Sequence, residues 1–113
     1  MSGFKRKIGF FKNHFKDFYD KQPAKVRKKI DWTLLLIQTT QFVSENHFKN
    51  LKDTDGLWEI RVSANNGIYR IFCFFDKGNI IILLNAFQKK TQRTPKKEIE
   101  KAERLKKEYY ENR

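Results

Sequence analysis

The stretch Leu57-Trp58-Glu59-Ile60-Arg61-Val62-Ser63-Ala64-Asn65-Asn66-Gly67-Ile68-Tyr69-Arg70-Ile71-Phe72-Cys73-Phe74-Phe75 reads as two strands joined by a tight turn. Apolar residues alternate with polar ones before Asn65-Asn66-Gly67, and β-branched and aromatic residues dominate after it. Asn-Gly readily supplies the positive φ that a type I′ turn needs at both central positions. With Asn66-Gly67 as the turn, Asn65 pairs with Ile68 and Ser63 faces Arg70. A third strand, Asn79 to Phe87, follows Asp76-Lys77-Gly78, and a turn centred on Lys77-Gly78 sets Arg70 opposite Asn85.

These registers divide the meander into two faces. Trp58, Ile60, Val62, Tyr69, Ile71, Cys73, Phe75, Ile80, Ile82, Leu84 and Ala86 form the expected core face. The opposite face is mixed. Phe72, Phe74, Ile81 and Leu83 make it apolar toward one end, while Arg61, Arg70, Asn85 and Lys89 gather toward the other. Like charges on neighbouring strands repel unless they share an anion. Two readings stay open: the arginines hold an external anion, or Arg61 pairs with Glu59 or Asp31 as a surface ion pair.

Outward from the meander, the remaining signals are helical. Phe15, Phe18 and Tyr19 recur at i, i+3 and i+4 within Asn13 to Lys21. Pro23 suits the first turn of a second helix, with Val26, Ile30, Leu34 and Ile37 on one stripe and Trp32, Leu35 and Leu36 widening it, ending near Thr39 to Phe42. Residues 43–56 read as a polar connection, and residues 4–10 as either a short basic edge strand or an extended lead-in. Thr94 as N-cap and Pro95 at the first helical position open a last helix with Ile99, Ala102, Leu105 and Tyr109 on a narrow stripe. The expected architecture is α+β, an antiparallel β-meander packed against two N-terminal helices with a C-terminal helix, as a single domain over residues 1–113.

The formal charge is +12, from 25 Lys+Arg against 13 Asp+Glu, and it sits at the chain ends. Residues 1–30 hold ten basic and two acidic residues, residues 31–88 five and six, and residues 89–113 ten and five. An aromatic content of 15% argues against disorder, so a folded basic protein with an acidic partner, nucleic acid foremost, is the expectation. Cys73 is the lone cysteine, so no disulfide closes within the chain, and its alternation with core positions makes it a buried thiol. The N-terminal residues lack the apolar region of a signal peptide and no stretch is long enough to span a bilayer, which predicts a cytoplasmic protein with no membrane partner. His14 and His47 stand without ligand spacing and read as ordinary histidines. After Phe87 comes Gln88-Lys89-Lys90-Thr91-Gln92-Arg93-Thr94-Pro95-Lys96-Lys97, a donor-rich loop running into a helix N-terminus beside the arginine end of the sheet.

Leu57-Trp58-Glu59-Ile60-Arg61, Tyr69-Arg70-Ile71 and above all Phe87-x-Lys89-Lys90-Thr91-x-x-Thr94-Pro95 resemble the RelE/HigB superfamily of toxin-antitoxin systems, specifically its phage-derived HigB-like branch. The resemblance implies a compact RelE-like microbial ribonuclease fold. It also implies an endoribonuclease that cuts mRNA in the ribosomal decoding site, with a helix-turn-helix antitoxin as cognate partner. In that chemistry the ribose 2′-OH attacks the adjacent phosphate, leaving a 2′,3′-cyclic phosphate and a 5′-OH, with no metal or other cofactor.

Residue by residue, Arg61 and Arg70 suit stabilisation of charge on the phosphate oxygens, and Lys89 or Lys90 suits proton transfer. Phe87 is a candidate base-stacking residue or the last core residue of its strand, while Thr91 and Arg93 are candidate phosphate contacts. Many relatives carry a histidine where Asn85 stands; Asn85 cannot titrate, so at most it binds substrate. Two other readings stand beside the nuclease: a ParE-like toxin acting on DNA gyrase, and a catalytically inactive relative that binds RNA or protein.

Overall fold

A computed structural model describes residues 3–112. The central hairpin is formed by β3 (Leu57–Ala64) and β4 (Gly67–Phe75), and its turn falls one residue earlier than the sequence suggests. Asn65 and Asn66, at φ 52° and 62°, are the two central residues, so Ala64 pairs with Gly67 and Arg61 with Arg70, in place of the expected pairing of Ser63 with Arg70. Asparagine tolerates the left-handed region, so the turn does not need glycine. Gly67 is instead needed on the strand: a Cβ there would lie 2.6 Å from the hydroxyl oxygen of Tyr69, a buried ring. Displacing the turn by one residue moves the register by two, so each side chain keeps its expected face.

The third strand of the meander, β5 (Ile80–Lys89), departs further. Ile68 to Ile71 pair with Lys89 to Ala86, but Cys73 pairs with Leu83, so Phe72 is opposed by both Leu84 and Asn85 in a β-bulge. Arg70 therefore faces Phe87 rather than Asn85. Beyond the bulge the faces exchange: Ile81 and Leu83 join the core with Tyr69 and Ile71, while Ile80, Ile82 and Leu84 pack with Phe72 and Phe74, the reverse of the expected assignment. Five consecutive apolar residues, Ile80 to Leu84, offer no alternation that would have betrayed the switch.

Two short strands complete a five-stranded mixed sheet of order β1-β5-β4-β3-β2. Residues 4–10 contain β1 (Lys7–Phe10), which runs parallel to β5 at one edge. The polar connection contains β2 (Phe48–Asn50), antiparallel to β3 at the other edge. Three residues with one buried side chain, Phe48, carry no period to read. Helices α1 (His14–Asp20) and α2 (Ala24–Thr39) pack on one face, α2 through Val26, Ile30, Thr33 and Ile37. Trp32 and Leu35 are 47% and 57% exposed and do not widen the buried stripe. Helix α3 (Lys96–Glu111) lies on the opposite face, burying Ala102 and Leu105 against Leu57, Phe72, Phe74, Ile82, Leu84 and Phe87. It covers the apolar end of that face and leaves Arg61, Ser63, Ile68 and Lys89 at its rim. Among the described residues no helix is long and apolar enough to cross a membrane.

The left-handed turn is directly testable. Asn66→Val places a β-branched residue at φ 62° and is expected to lower stability by about 1–2 kcal/mol, whereas Asn66→Gly should stay within about 0.5 kcal/mol of wild type. Urea unfolding followed by tryptophan fluorescence measures both.

Candidate functional site

Alternation along β3 puts Glu59, Arg61 and Ser63 on the face that α3 covers only in part. Pairing of Arg61 with Arg70 brings two guanidinium groups onto adjacent strands, where their repulsion needs an anion. That anion is internal. The Glu59 carboxylate, 1% exposed, accepts a hydrogen bond from Arg61 Nε at 2.8 Å through Oε1, and Arg70 Nε lies 3.6 Å from the same oxygen. Thr94 Oγ1, from the loop before α3, donates to Glu59 Oε2 at 3.5 Å. Of the two ion-pair partners open to Arg61 in the sequence, Glu59 is the one used; Asp31 accepts from the Tyr19 hydroxyl at 2.8 Å.

One carboxylate between two guanidinium groups leaves a net positive charge. Arg61 Nη1 donates to the Glu45 carbonyl at 3.3 Å and Arg70 Nη1 to the Tyr69 carbonyl at 3.1 Å, and Nη2 of each forms no hydrogen bond among the described residues. Burial lowers the Arg70 pKa from its ordinary value; Glu59 opposes that shift and Arg61 adds to it. A guanidinium starts so high that Arg70 remains a cation at neutral pH.

Lys89 pairs with Ile68 on β4, two residues beyond the pairing of Arg70 with Phe87, which makes Lys89 a diagonal neighbour of Arg70 at roughly 7–8 Å. With Ile68, Lys90, Thr91 and Gln92 it lines a cleft of about 360 Å³. Thr91 Oγ1 donates to the Arg93 carbonyl at 2.9 Å and folds the loop on itself. Lys89, Lys90 and Arg93 form no ion pair among the described residues, unlike Lys12, Lys16 and Lys106.

Two predicted residues lie elsewhere. Phe87 is 9% exposed with its ring edge-on to Phe72 at 5.4 Å, a core position. Asn85, displaced by the bulge, is 1% exposed and donates from Nδ2 to both the carbonyl oxygen and Oε1 of Glu98, anchoring the first turn of α3. Its Oδ1 is buried without a hydrogen-bond partner among the described residues. His14 and His47 stay outside the group; His47 packs edge-on to Trp32 at 5.5 Å. Three contributions go beyond the sequence reading: Glu59 is shared with Arg70 rather than paired with Arg61 alone, Thr94 links it to the loop, and Ile68, 44% exposed, lies beside Lys89. Glu59 was legible, since it stands two residues before Arg61 on one strand face. The reach of Thr94 across 35 residues was not.

A basic cleft of this kind, on a sheet with helices on both faces, accompanies a match to the phage-derived Gp49-like protein family (DUF891) over residues 17–107. The chain belongs to that family. Gp49-like proteins are toxins of toxin-antitoxin systems related to RelE-like toxins, and membership implies a cognate antitoxin as partner. The Gp49-like span contains every site residue named above. No curated protein matches the chain.

Removing the shared carboxylate should destabilise the fold. Glu59→Ala leaves Arg70, with a side chain 10% exposed, beside an uncompensated Arg61, and is expected to cost about 3 kcal/mol in urea unfolding. The exposed Arg61 end makes Arg61→Ala the milder change.

Proposed function

We propose that the chain is the toxin of a type II toxin-antitoxin system, a ribosome-dependent mRNA endoribonuclease of the HigB-like kind. The observation that carries this reading is the directly paired Arg61 and Arg70, charged in excess of their shared carboxylate and flanked, at the uncovered end of the sheet, by Lys89 and Lys90, which form no ion pair among the described residues. Such a site suits a phosphodiester. Charge grows on the non-bridging oxygens as the 2′-oxygen bonds to phosphorus and the bond from phosphorus to the 5′-oxygen breaks. Arg61 and Arg70, held in place before the substrate arrives, stabilise that charge without reorganisation. Lys89 or Lys90 moves a proton: one is taken from the 2′-OH and one is delivered to the departing 5′-oxygen. Ile68 offers an apolar contact to a base, and Thr91 and Arg93 shape the phosphate-facing loop. Asn85 and Phe87 support the site from behind through α3 and the core. The messenger on the ribosome and a helix-turn-helix antitoxin are the partners of this reading.

Inducing the chain in a bacterial host and mapping mRNA ends tests it. In-frame cuts that require translation are expected, and Arg70→Ala or Arg61→Ala should reduce cleavage by about 100-fold or more while circular dichroism shows a folded protein. A DNA-damage response without mRNA cuts would move the function to gyrase, unimpaired growth would leave a binder, and full toxicity of both arginine variants would remove the site.

A further inference from the structure

A second concave surface lies on the other face of the sheet. Phe48, Trp58 and Phe75, from three adjacent strands, pack ring on ring: Phe48 stacks on Trp58 at 4.6 Å and Trp58 meets Phe75 edge-on at 5.5 Å. With Arg6, Phe42 and Val43 they line a recess of about 250 Å³, the space of about eight water molecules. Phe42, just past the end of α2, is 86% exposed at its mouth, the most exposed large apolar side chain among the described residues. An aromatic ring held in water beside an aromatic recess is the anatomy of an anchor site.

The charge at this recess has no acidic counterpart among the described residues. Arg6 donates to the carbonyls of Ile37, Thr40 and Gln41 at 2.8–2.9 Å, closing the C-terminal end of α2, and its Nε is buried without a hydrogen-bond partner among the described residues. It forms no ion pair among the described residues, and no acidic residue lines the recess. Lys5 and Lys7 flank it in the chain, both exposed.

We propose that this recess receives a large apolar side chain carried by an acidic segment of a protein partner. The aromatic walls close on one another rather than presenting a flat stacking platform. Beside Arg6 and Gln41 the lining has no polar side chain with which to read a base edge, so a protein side chain suits the recess better than nucleic acid. Phe75 is five residues along β4 from Arg70, about 17 Å, and on the opposite face. An occupant of the recess therefore leaves the arginine site open. The proposal stands whether or not the nuclease reading does.

Titrating the ¹⁵N-labelled full chain with N-acetyl-L-phenylalanine, and separately with its uncharged amide, tests the recess by NMR. Amide signals of Arg6, Phe42, Val43 and Phe48 and the Trp58 indole should shift, those of Arg70 and Lys89 should not, and the carboxylate should bind at least about threefold more tightly than the amide. Phe42→Ser, which removes a solvent-exposed ring and leaves the core intact, should weaken binding by about the same factor. Equal affinity for the two probes overturns the acidic partner. Shifts at Lys89 alone, or none up to the solubility limit, overturn the site. Self-association that Phe42→Ser abolishes assigns the surface to a second copy and overturns the proposal as stated.

Discussion

The Glu59 carboxylate, fully buried between two arginines, is the interaction on which the functional end of the sheet depends. Pairing of β3 with β4 is dictated by apolar burial on the other face, and it forces Arg61 against Arg70 whether or not their charges agree. Without an anion, that register would carry its own penalty. Glu59 removes most of it, at the cost of desolvating a carboxylate, which is tolerable only because two cations and a hydroxyl surround it. The residue that makes the cation pair possible is thus the one that fixes its geometry.

Helix α3 explains why the charged groups lie where they do. Its buried residues, Ala102 and Leu105, are small or aliphatic and sit over Leu57, Phe72, Phe74, Ile82 and Leu84. The bulge at Phe72 contributes directly, since it delivers Ile80, Ile82 and Leu84 to the α3 side and turns Asn85 toward Glu98. That contact holds the start of α3, while Thr94, just before it, touches Glu59. The loop carrying Lys89 to Arg93 is consequently tethered at both ends, by strand pairing at Lys89 and by the Thr94 contact. A loop fixed in this way can present unpaired cations without collapsing onto the nearest carboxylate.

Much of this was legible before the structure. Alternation around Asn65-Asn66-Gly67 identified the hairpin and the faces of Arg61 and Arg70, because a turn displaced by one residue preserves face parity, whereas Phe87 and Lys89 keep their expected faces because the bulge leaves their pairing two residues from the expected register. Exact pairing was another matter: which two residues of Asn-Asn-Gly form the turn depends on whether glycine is needed for φ or for room against Tyr69, a tertiary fact. The bulge was invisible in a run of five apolar residues buried on both sides of the sheet. Asn85 followed the same fate, since its apparent place beside Arg70 rested on a regular ladder. The short strands β1 and β2 are defined by their neighbours rather than by any pattern of their own.

The charge of +12 separates into parts with different physical roles. Arg61, Arg70, Lys89, Lys90 and Arg93 concentrate at one end of one face, three of them without a carboxylate partner among the described residues. Arg6 serves a helix end and leaves charge beside the aromatic recess on the other face. Much of the remaining excess in residues 1–30 lies on exposed positions such as Lys21, Lys25 and Lys28, where salt screens it beyond about 8–10 Å. Distributed charge of that kind raises encounter rates with any polyanion but does not select a scissile bond; selection needs cations whose positions are fixed. In this chain the fixed positions come from burial. Arg70 is nearly enclosed, Arg61 is gripped by Glu59, and the chemistry available to the protein follows from the few cations that the fold immobilises.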